Sequence, residues 1–300
     1  MSRIVPIAIF SFLVAAGGCG NRSDTYTSGH RSVLIADPYL PLLQREVDQF
    51  ASLYPQAKVE IHGTSTREAI VGLLNDSVYS IVIDRPLNEE ERQVAQRAEK
   101  RVVEDKIGKD GIAIIVHPSN AIGRIDSASI QQILTHHTQN WRELAGSRRS
   151  GSVDVVLTGR NSGMYELLRN RFFAPAKLLE PTTVLETQAE LIQYVSLHPQ
   201  AIGFVASSLV MNGGQKVRVV PVLIRSPEGG ELGCLPGQLE VYQSLYPFHY
   251  SLYLCYAEAK AAVGIGFGAF LLSNEGQKVI QKAGVAPAAI PYRKIQLTSE

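Results

Sequence analysis

The segment VVLTGRNSGMYELLRNRF, from Val155 to Phe172, decides the fold that we predict for this chain. It begins with a buried apolar strand, continues through a turn from Gly159 to Gly163, and ends in an amphipathic helix. The turn therefore places Arg160, Ser162 and several backbone N–H groups at a helix N-terminus. These groups and the positive end of the helix dipole suit a small oxyanion. The alternative is that Ser162 is only a helix cap and Arg160 only a surface charge.

The overall composition is that of a globular chain without a strong charge preference. The chain has 300 residues, 45% hydrophobic and 19% charged, which is enough to bury one large core or two smaller ones. Lysine and arginine total 29, and aspartate and glutamate total 28. Because no global field attracts nucleic acid, we expect no nucleic-acid partner, and any anion recognition must be local.

The histidine and cysteine residues show no metal-ligand spacing. The seven histidines do not cluster, and Cys234 and Cys255 have no neighbouring His or Cys. We therefore expect neither a metal nor another cofactor. In an exported protein these two cysteines could form a disulfide or stay free, and the sequence leaves both possibilities open.

The N-terminus carries an export signal. Arg3 precedes an apolar run from Ile4 to Gly18, which is shorter than the roughly 20 residues needed to span a bilayer. The run ends in AGGC, which resembles the lipobox of bacterial lipoproteins and implies that Cys19 is the lipidated first residue of the mature protein. The alternative is an ordinary cleaved signal peptide with a coincidental cysteine. The polar residues 20–31 that follow are typical of a flexible tether.

The first part of the folded body alternates strands and helices. Strands are predicted at Ser32–Ala36, Lys58–His62 and Ser80–Ile83, with an amphipathic helix after each. Asn88 and Glu91 form a variant of the capping box at the start of the third helix. This rhythm favours a parallel sheet covered by helices, in which ligands bind at the carboxyl ends of the strands. The polar loops at those ends are Asp37–Leu40, Gly63–Thr66 and Asp84–Arg85.

The middle and the end of the chain predict a second α/β lobe and a return to the first. The segment Val102–Asn120 is interpreted as two strands separated by a glycine turn, and a capping box at Thr187 and Glu190 starts a later helix. The glycine- and proline-rich segment Ser226–Gly237 is interpreted as a loop. The remaining predictions are a helix at Ser127–Leu134, a strand in AIGFVASS, a strand in FHYSLYLCY, and two final helices separated by a cap at Ser273 and Asn274.

The order of these segments resembles the phosphate-specific substrate-binding proteins of bacterial ABC transporters, within the periplasmic binding protein superfamily. The matching segments are FASLYPQAKVEIHGTST, IDRPLNEEE, DGIAIIVHPSN, NWREL, GRNSG, HPQAIGFV, YPFHYSLYL and LLSNEGQKVIQKAGVAP. The resemblance implies an α/β fold of two lobes, each a mainly parallel sheet flanked by helices, which close on a ligand about a hinge. It also implies a monomer that captures phosphate outside the cytoplasm, anchored to the membrane, and delivers it to an ABC permease and ATPase. The domains that we predict are a signal peptide at 1–19, a tether at 20–31, lobe 1 at 32–117 and 246–300, and lobe 2 at 118–245.

The ligand loops depart from the pattern of the resembling family. Asp37 and Pro38 replace a hydroxyl-rich loop, and Pro38 has no N–H to donate. Asp37 or Asp84 could accept the proton of monohydrogen phosphate, and the Tyr39 hydroxyl could donate to it. For both aspartates the alternative is turn and cap chemistry. The predicted ligand-binding residues are Arg160, Ser162, Gly163, Asp37, Tyr39, Thr64, Ser65, Asp84 and Arg85.

Three function classes follow from the sequence. The first is a lipid-anchored binding protein for phosphate or a related oxyanion, for which Arg160→Ala is predicted to abolish submillimolar binding. The second is a diverged relative that acts as a cell-surface sensor, scaffold or adhesion protein with an altered or empty cleft. The third, an enzyme with Ser162 as nucleophile, is disfavoured because GRNSG does not have the G-x-S-x-G spacing of a nucleophile elbow.

Overall fold

The structure is a computed structural model that describes residues 24–147, 149–173, 179–214, 216–226, 229–257 and 262–288. The predicted signal peptide and the lipobox Cys19 lie outside the described residues. The strands are β1 Gly29–Ala36, β2 Ala57–Thr64, β3 Ser80–Ile83, β4 Val102–Val116, β5 Asp154–Thr158, β6 Thr183–Leu185, β7 Ala201–Ala206, β8 Arg218–Val219, β9 Val222–Arg225, β10 Glu231–Cys234, β11 His249–Ala257 and β12 Ala286–Pro287. The helices are α1 Leu40–Leu53, α2 Thr66–Leu74, α3 Glu89–Arg97, α4 Ser127–Leu134, α5 Gly163–Phe172, α6 Gln188–Leu197, α7 Gln238–Tyr242, α8 Ala262–Leu271 and α9 Asn274–Lys282, with 3-10 turns at Asp37–Tyr39, Trp141–Glu143 and Ser207–Leu209.

The strands form two lobes that share β4. In the first lobe β2, β1 and β3 are parallel, β11 pairs antiparallel with β3, and the first part of β4 pairs antiparallel with β11. In the second lobe the last part of β4 pairs with β7, which is followed by β5 and β6, both parallel to β7. The predicted two-lobe α/β class is therefore confirmed. One large core cluster contains buried side chains of both lobes, such as Val33 and Leu157.

β4 is the crossing between the lobes. It pairs with β11 from Val102 to Gly111 and with β7 from Ile112 to Val116. The prediction of two strands separated by a glycine turn was therefore wrong. The glycine at 108 allows close packing instead, because a Cβ atom there would lie 2.9 Å from Val285 Cγ1 and 3.0 Å from the carbonyl oxygen of Ala286.

Two other boundaries differ from the sequence predictions. The segment Ser226–Gly237 is not entirely a loop, because β10 pairs antiparallel with β9. β1 begins at Gly29 rather than Ser32, because its pairing with β2 already starts at Gly29, which lies opposite Ala57. In both places strand pairing with a neighbour orders residues whose own composition favours a loop.

Several local predictions are confirmed. β3 and α4 have the predicted bounds, and α9 has the predicted cap at Ser273. The capping boxes of α3 and α6 are both formed. Cys234 and Cys255 are free and buried, and burial raises the pKa of both thiols. Among the described residues, no helix combines the length and hydropathy that a membrane crossing needs.

Candidate functional site

A cavity of about 350 Å³ lies between the lobes, at the carboxyl ends of the parallel strands. Loops that follow β1, β2 and β3 form one wall, and loops that follow β5 and β6 form the other. The residues that line it are Asp37, Pro38, Thr64, Ser65, Thr66, Glu68, Asp84, Thr158, Ser162, Gly163, Met164, Glu186, Thr187 and Gln188.

Three helices begin at this cavity. The N-caps of α2, α5 and α6 are Ser65, Ser162 and Thr187, and each side chain accepts a hydrogen bond from the amide three residues later. The caps satisfy one amide of each helix, and in α2 the Arg67 amide donates to the Asn161 carbonyl. The remaining first-turn N–H groups and the positive helix ends are directed at the cavity. Ser162 Oγ also accepts a hydrogen bond of 2.7 Å from Thr158 Oγ1, which brings the end of β5 into the same wall.

The charged side chains in the lining are all acidic. Asp37, Glu68, Asp84 and Glu186 line the cavity, and the lining contains no Lys, Arg or His from the described residues. The Glu68 carboxylate accepts hydrogen bonds from the Thr64 and Ser65 hydroxyls, and these bonds lower its pKa. The cavity therefore combines amide and hydroxyl donors with negative charge.

Asp84 is the most buried acid of the cavity and lies between the lobes. Its side chain is 2% exposed, and Oδ1 accepts a hydrogen bond of 2.7 Å from Thr66 Oγ1. The carboxylate also packs on Gly163 at the start of α5, where an added Cβ atom would overlap it. Desolvation raises the pKa of Asp84, although the Thr66 hydrogen bond opposes this effect.

Asp37 belongs to the part of the lining that is close to α6 of the second lobe. Burial raises the pKa of its carboxyl, and the charge of Glu190 on α6 adds to the effect. Since Glu190 belongs to the second lobe, the two lobes present like charges to each other in this part of the cavity. This repulsion favours a proton or a hydrogen-bond donor between them.

Arg85 follows Asp84 but does not line the cavity. Its guanidinium is 6% exposed and makes two hydrogen bonds of 2.8 Å with the Glu91 carboxylate. Its Nε lies 2.6 Å from Glu166 Oε2 on α5. The predicted anion ligand is therefore held by two glutamates, outside the cavity lining.

Arg160 is also placed away from the cavity. It is exposed and lines a separate groove of about 300 Å³, which we call the flanking groove. The residue at the end of β5 that lines the cavity is instead Thr158, which is 2% exposed. The flanking groove lies beside the cavity and is lined by Arg67, Ile70, Val71, Leu74, Arg85, Asn88, Glu90, Glu91, Val94, Arg160, Tyr165, Glu166 and Arg169.

Tyr39 belongs to a buried hydrogen-bond network at the lobe crossing. Its hydroxyl donates to Asp110 Oδ2 at 3.2 Å and lies 2.5 Å from the Tyr250 hydroxyl. Asp110, on β4, also accepts hydrogen bonds of 2.6 Å from the hydroxyls of Ser207 and Ser208. Tyr39 and Tyr250 come from the first lobe and the serines from the second. The network therefore joins the lobes at the hinge.

The structure brings six of the nine predicted site residues together. Asp37, Thr64, Ser65, Asp84, Ser162 and Gly163 line the cavity, whereas Tyr39, Arg85 and Arg160 do not. Sequence reasoning placed Thr66 in a ligand loop but not among the site residues, and it missed Glu68, Thr158, Glu186, Thr187 and Gln188 as cavity residues. The capping box at Thr187 was predicted, and a helix start is a place where an anion can bind, so this box was the signal that could have indicated Thr187. No group of acidic, histidine and cysteine side chains suited to a metal ion occurs in the part of the chain that the structure describes.

Comparison with known proteins places this architecture in a family. A family model described as a PBP superfamily domain matches residues 22–275. Protein SphX of Synechococcus elongatus is 22% identical over 270 residues, which are 87% of this chain and 79% of that protein. The phosphate-binding protein PstS of Borreliella burgdorferi is 26% identical over 184 residues, which are 59% of this chain and 63% of that protein.

A solved structure shows the same fold. It is a Clostridium perfringens protein named as a phosphate ABC transporter substrate-binding protein, with bound phosphate. It aligns with a TM-score of 0.76 and 22% identity, and covers 87% of this chain and 100% of its own. Because the family model matches most of the sequence, this chain belongs to the PBP superfamily.

Proposed function

We propose that this protein captures phosphate, or a closely related small oxyanion, outside the cytoplasm and delivers it to the permease and ATPase of an ABC importer. The observation that carries the proposal is the convergence of three helix N-termini, those of α2, α5 and α6, on one interlobe cavity. The names of the PstS relative and of the Clostridium perfringens structure support phosphate and an ABC transporter. They favour transport over a cell-surface sensor, scaffold or adhesion role.

In this proposal backbone amides and hydroxyls hold the anion. The donors are first-turn N–H groups of the three helices and the hydroxyls of Ser162 and Thr187, which, among the described residues, only accept hydrogen bonds. The hydroxyls of Thr64, Ser65 and Thr158 already donate to Glu68 or Ser162. The proposed site thus retains Ser162 and Gly163 as direct ligands, whereas Thr64 and Ser65 line the cavity and bind Glu68. It does not use Tyr39, Arg85 or Arg160 as direct ligands. Helix ends and hydroxyls replace the arginine that the sequence suggested.

The carboxylates require a protonated ligand. A buried, unpaired anion costs several kcal/mol, so a dianion beside an ionised Asp84 is unfavourable. Asp84 instead accepts a hydrogen bond from a P–OH group of the ligand. Phosphate has such a proton near neutral pH, whereas sulfate does not.

The experiment is calorimetry with phosphate, sulfate, molybdate and tungstate. We expect submillimolar binding of phosphate that Ser162→Ala weakens, because the variant removes a hydroxyl and a helix cap at the cavity. Ser273→Ala is the matched control, since Ser273 caps α9 away from the cavity. No heat with any of the four anions would reject the proposal and favour the sensor or scaffold role.

We further infer that the protein is a monomer anchored to the membrane through Cys19. The AGGC sequence after an apolar run supports lipidation at this position. Cys19→Ala should move the protein from the membrane fraction to the soluble fraction of the cell envelope. Retention of the variant in the membrane fraction would contradict lipid anchoring, and light scattering of the purified protein tests the monomer.

We also infer a binding protein rather than an enzyme. The Ser162 hydroxyl bonds to Thr158 and to the Tyr165 amide, and neither group is a base that could activate it. The relatives are named as binding proteins or transport components, which agrees with this assignment. Hydrolysis of a phosphoester or acyl ester that disappears in Ser162→Ala would contradict it.

A further inference from the structure

We propose that the ion pair between Arg85 and Glu166 is an interlobe latch that sets the affinity of the cavity without contacting its ligand. Arg85 follows β3 of the first lobe, and Glu166 lies on α5 of the second lobe. Neither residue lines the cavity. The consequence for affinity rests on the proposed function, whereas the consequence for lobe closure does not.

The first lobe fixes the orientation of the arginine. The two terminal nitrogens of Arg85 each lie 2.8 Å from one oxygen of Glu91, in a fork geometry. One of them also donates to the Pro86 carbonyl at 2.9 Å. The guanidinium is therefore held by its own lobe, and its Nε is presented to the other lobe.

The second lobe supplies the partner. Glu166 Oε2 lies 2.6 Å from Arg85 Nε, and the Glu166 side chain is 17% exposed. Arg169, one turn further along α5, lies 3.8 Å from the other oxygen of Glu166. Because both members of the cross-lobe pair are largely buried, separating the lobes breaks their attraction where solvent screening is weak.

The pair belongs to a continuous line of contacts between the lobes. The Arg67 amide donates a hydrogen bond of 3.1 Å to the Asn161 carbonyl, which also joins α2 of the first lobe to the turn before α5. On the cavity side, Asp84 packs on Gly163. Arg85 thus acts at the edge of the interface that must form when the lobes close.

Closure and affinity are linked in a hinged binding protein. The apparent dissociation constant equals the intrinsic constant divided by the fraction of molecules in the binding-competent form. A contact that stabilises the closed form raises this fraction, even when the contact lies away from the ligand. In this role Arg85 is a positioning residue.

The test combines small-angle X-ray scattering with calorimetry on Glu166→Gln, which keeps the shape of the side chain and removes its charge. We expect a larger radius of gyration in phosphate-free solution, a return to the wild-type radius at saturating phosphate, and about tenfold weaker phosphate binding. Glu104→Gln is the matched control, because Glu104 pairs with Arg92 at 3.1 Å within the first lobe. The control should leave both measurements unchanged.

A double-mutant cycle separates the latch from a general loss of stability. The effects of Arg85→Gln and Glu166→Gln on phosphate affinity should be far from additive, since each removes the same interaction. The proposal would be overturned if Glu166→Gln kept the radius of gyration and the phosphate affinity of the wild type. This holds even if the melting temperature of the variant is lower. If the wild-type protein binds no phosphate, the proposed function fails, and the scattering comparison alone decides the latch.

Discussion

Asp84 and Arg85 are adjacent in sequence and both are buried, but they serve two different regions of the molecule. Asp84 faces the cavity, where Thr66 is its hydrogen-bond donor and Gly163 packs against it. Arg85 faces the flanking groove, where two glutamates bind it. Burial raises the pKa of Asp84, whereas two anions surround the charge of Arg85.

This difference shows how one strand end can separate ligand binding from lobe closure. Asp84 and Arg85 follow β3 directly, and their two charged side chains reach two different surfaces. The cavity side is acidic and rich in hydroxyls, and the flanking groove contains the arginines. Substitutions in the cavity and in the flanking groove test whether the two regions are as distinct as their contacts indicate.

The largest expected effect is on stability, in Arg85→Met. The substitution leaves the largely buried Glu91 without its ion-pair partner and Glu166 with only the more distant Arg169, and we expect a loss of about 3 kcal/mol in the free energy of unfolding. Arg92→Met is the control, because Arg92 is 43% exposed and exposed pairs contribute about 1 kcal/mol or less. Chemical denaturation measures both. Equal losses in the two variants would show that Arg85 is an ordinary surface charge.

A buried acid without partners provides the next test. Glu46 is fully buried, neither of its carboxylate oxygens has a hydrogen-bond partner among the described residues, and burial raises its pKa to about 8. Since this value exceeds that of the unfolded chain, the folded state binds an extra proton between the two values, and stability falls as pH rises through this interval. We expect a loss of about 2 kcal/mol between pH 5 and 7 that Glu46→Gln removes.

Denaturation at several pH values in the wild type and in Glu46→Gln gives this comparison directly. Parallel pH profiles in the two proteins would show that the carboxyl of Glu46 titrates normally. Asp110 is equally buried but accepts hydrogen bonds from Ser207 and Ser208. We therefore expect burial to destabilise the ionised form of Asp110 less than that of Glu46.

The contact between Asp84 and Gly163 should control binding. In Gly163→Ala the new Cβ atom would overlap the Asp84 carboxylate, so the lobes cannot close fully. We expect phosphate binding to weaken by about tenfold or more, measured by calorimetry. Gly159→Ala is the control, because nothing lies within 4 Å of a Cβ atom there. Unchanged affinity in Gly163→Ala would place the ligand elsewhere.

The smallest expected effects compare the charges of the two regions. Asp37→Asn removes a carboxylate from the cavity and should strengthen phosphate binding about threefold, because it removes a repulsive charge. Arg160→Ala removes an exposed charge of the flanking groove and should change affinity less than about twofold. Calorimetry at low salt measures both. A loss of binding in Arg160→Ala, as the sequence suggested, would move the anion site to the flanking groove.

The sequence predicts local features well where a short segment is sufficient. The capping boxes at Asn88 and Thr187 were recognised because a cap needs only residues within one helical turn. β10 was missed because it is ordered by pairing with β9, and the composition of its own segment does not show this pairing. Thr158 was missed as a cavity residue because hydrophobic periodicity identifies a buried strand but does not show which of its residues lines the cavity.

By itself, the sequence predicted the main alternation of strands and helices, and with it the two-lobe class and a candidate site at the strand ends. These follow from hydrophobic periodicity, turn residues and caps, all of which act over short distances. Only the tertiary structure decided that β4 runs unbroken between the lobes and that Arg85 and Arg160 lie outside the cavity. The physical reason is that a charged side chain goes where partners can compensate its burial, and for Arg85 one such partner, Glu166, is distant in sequence.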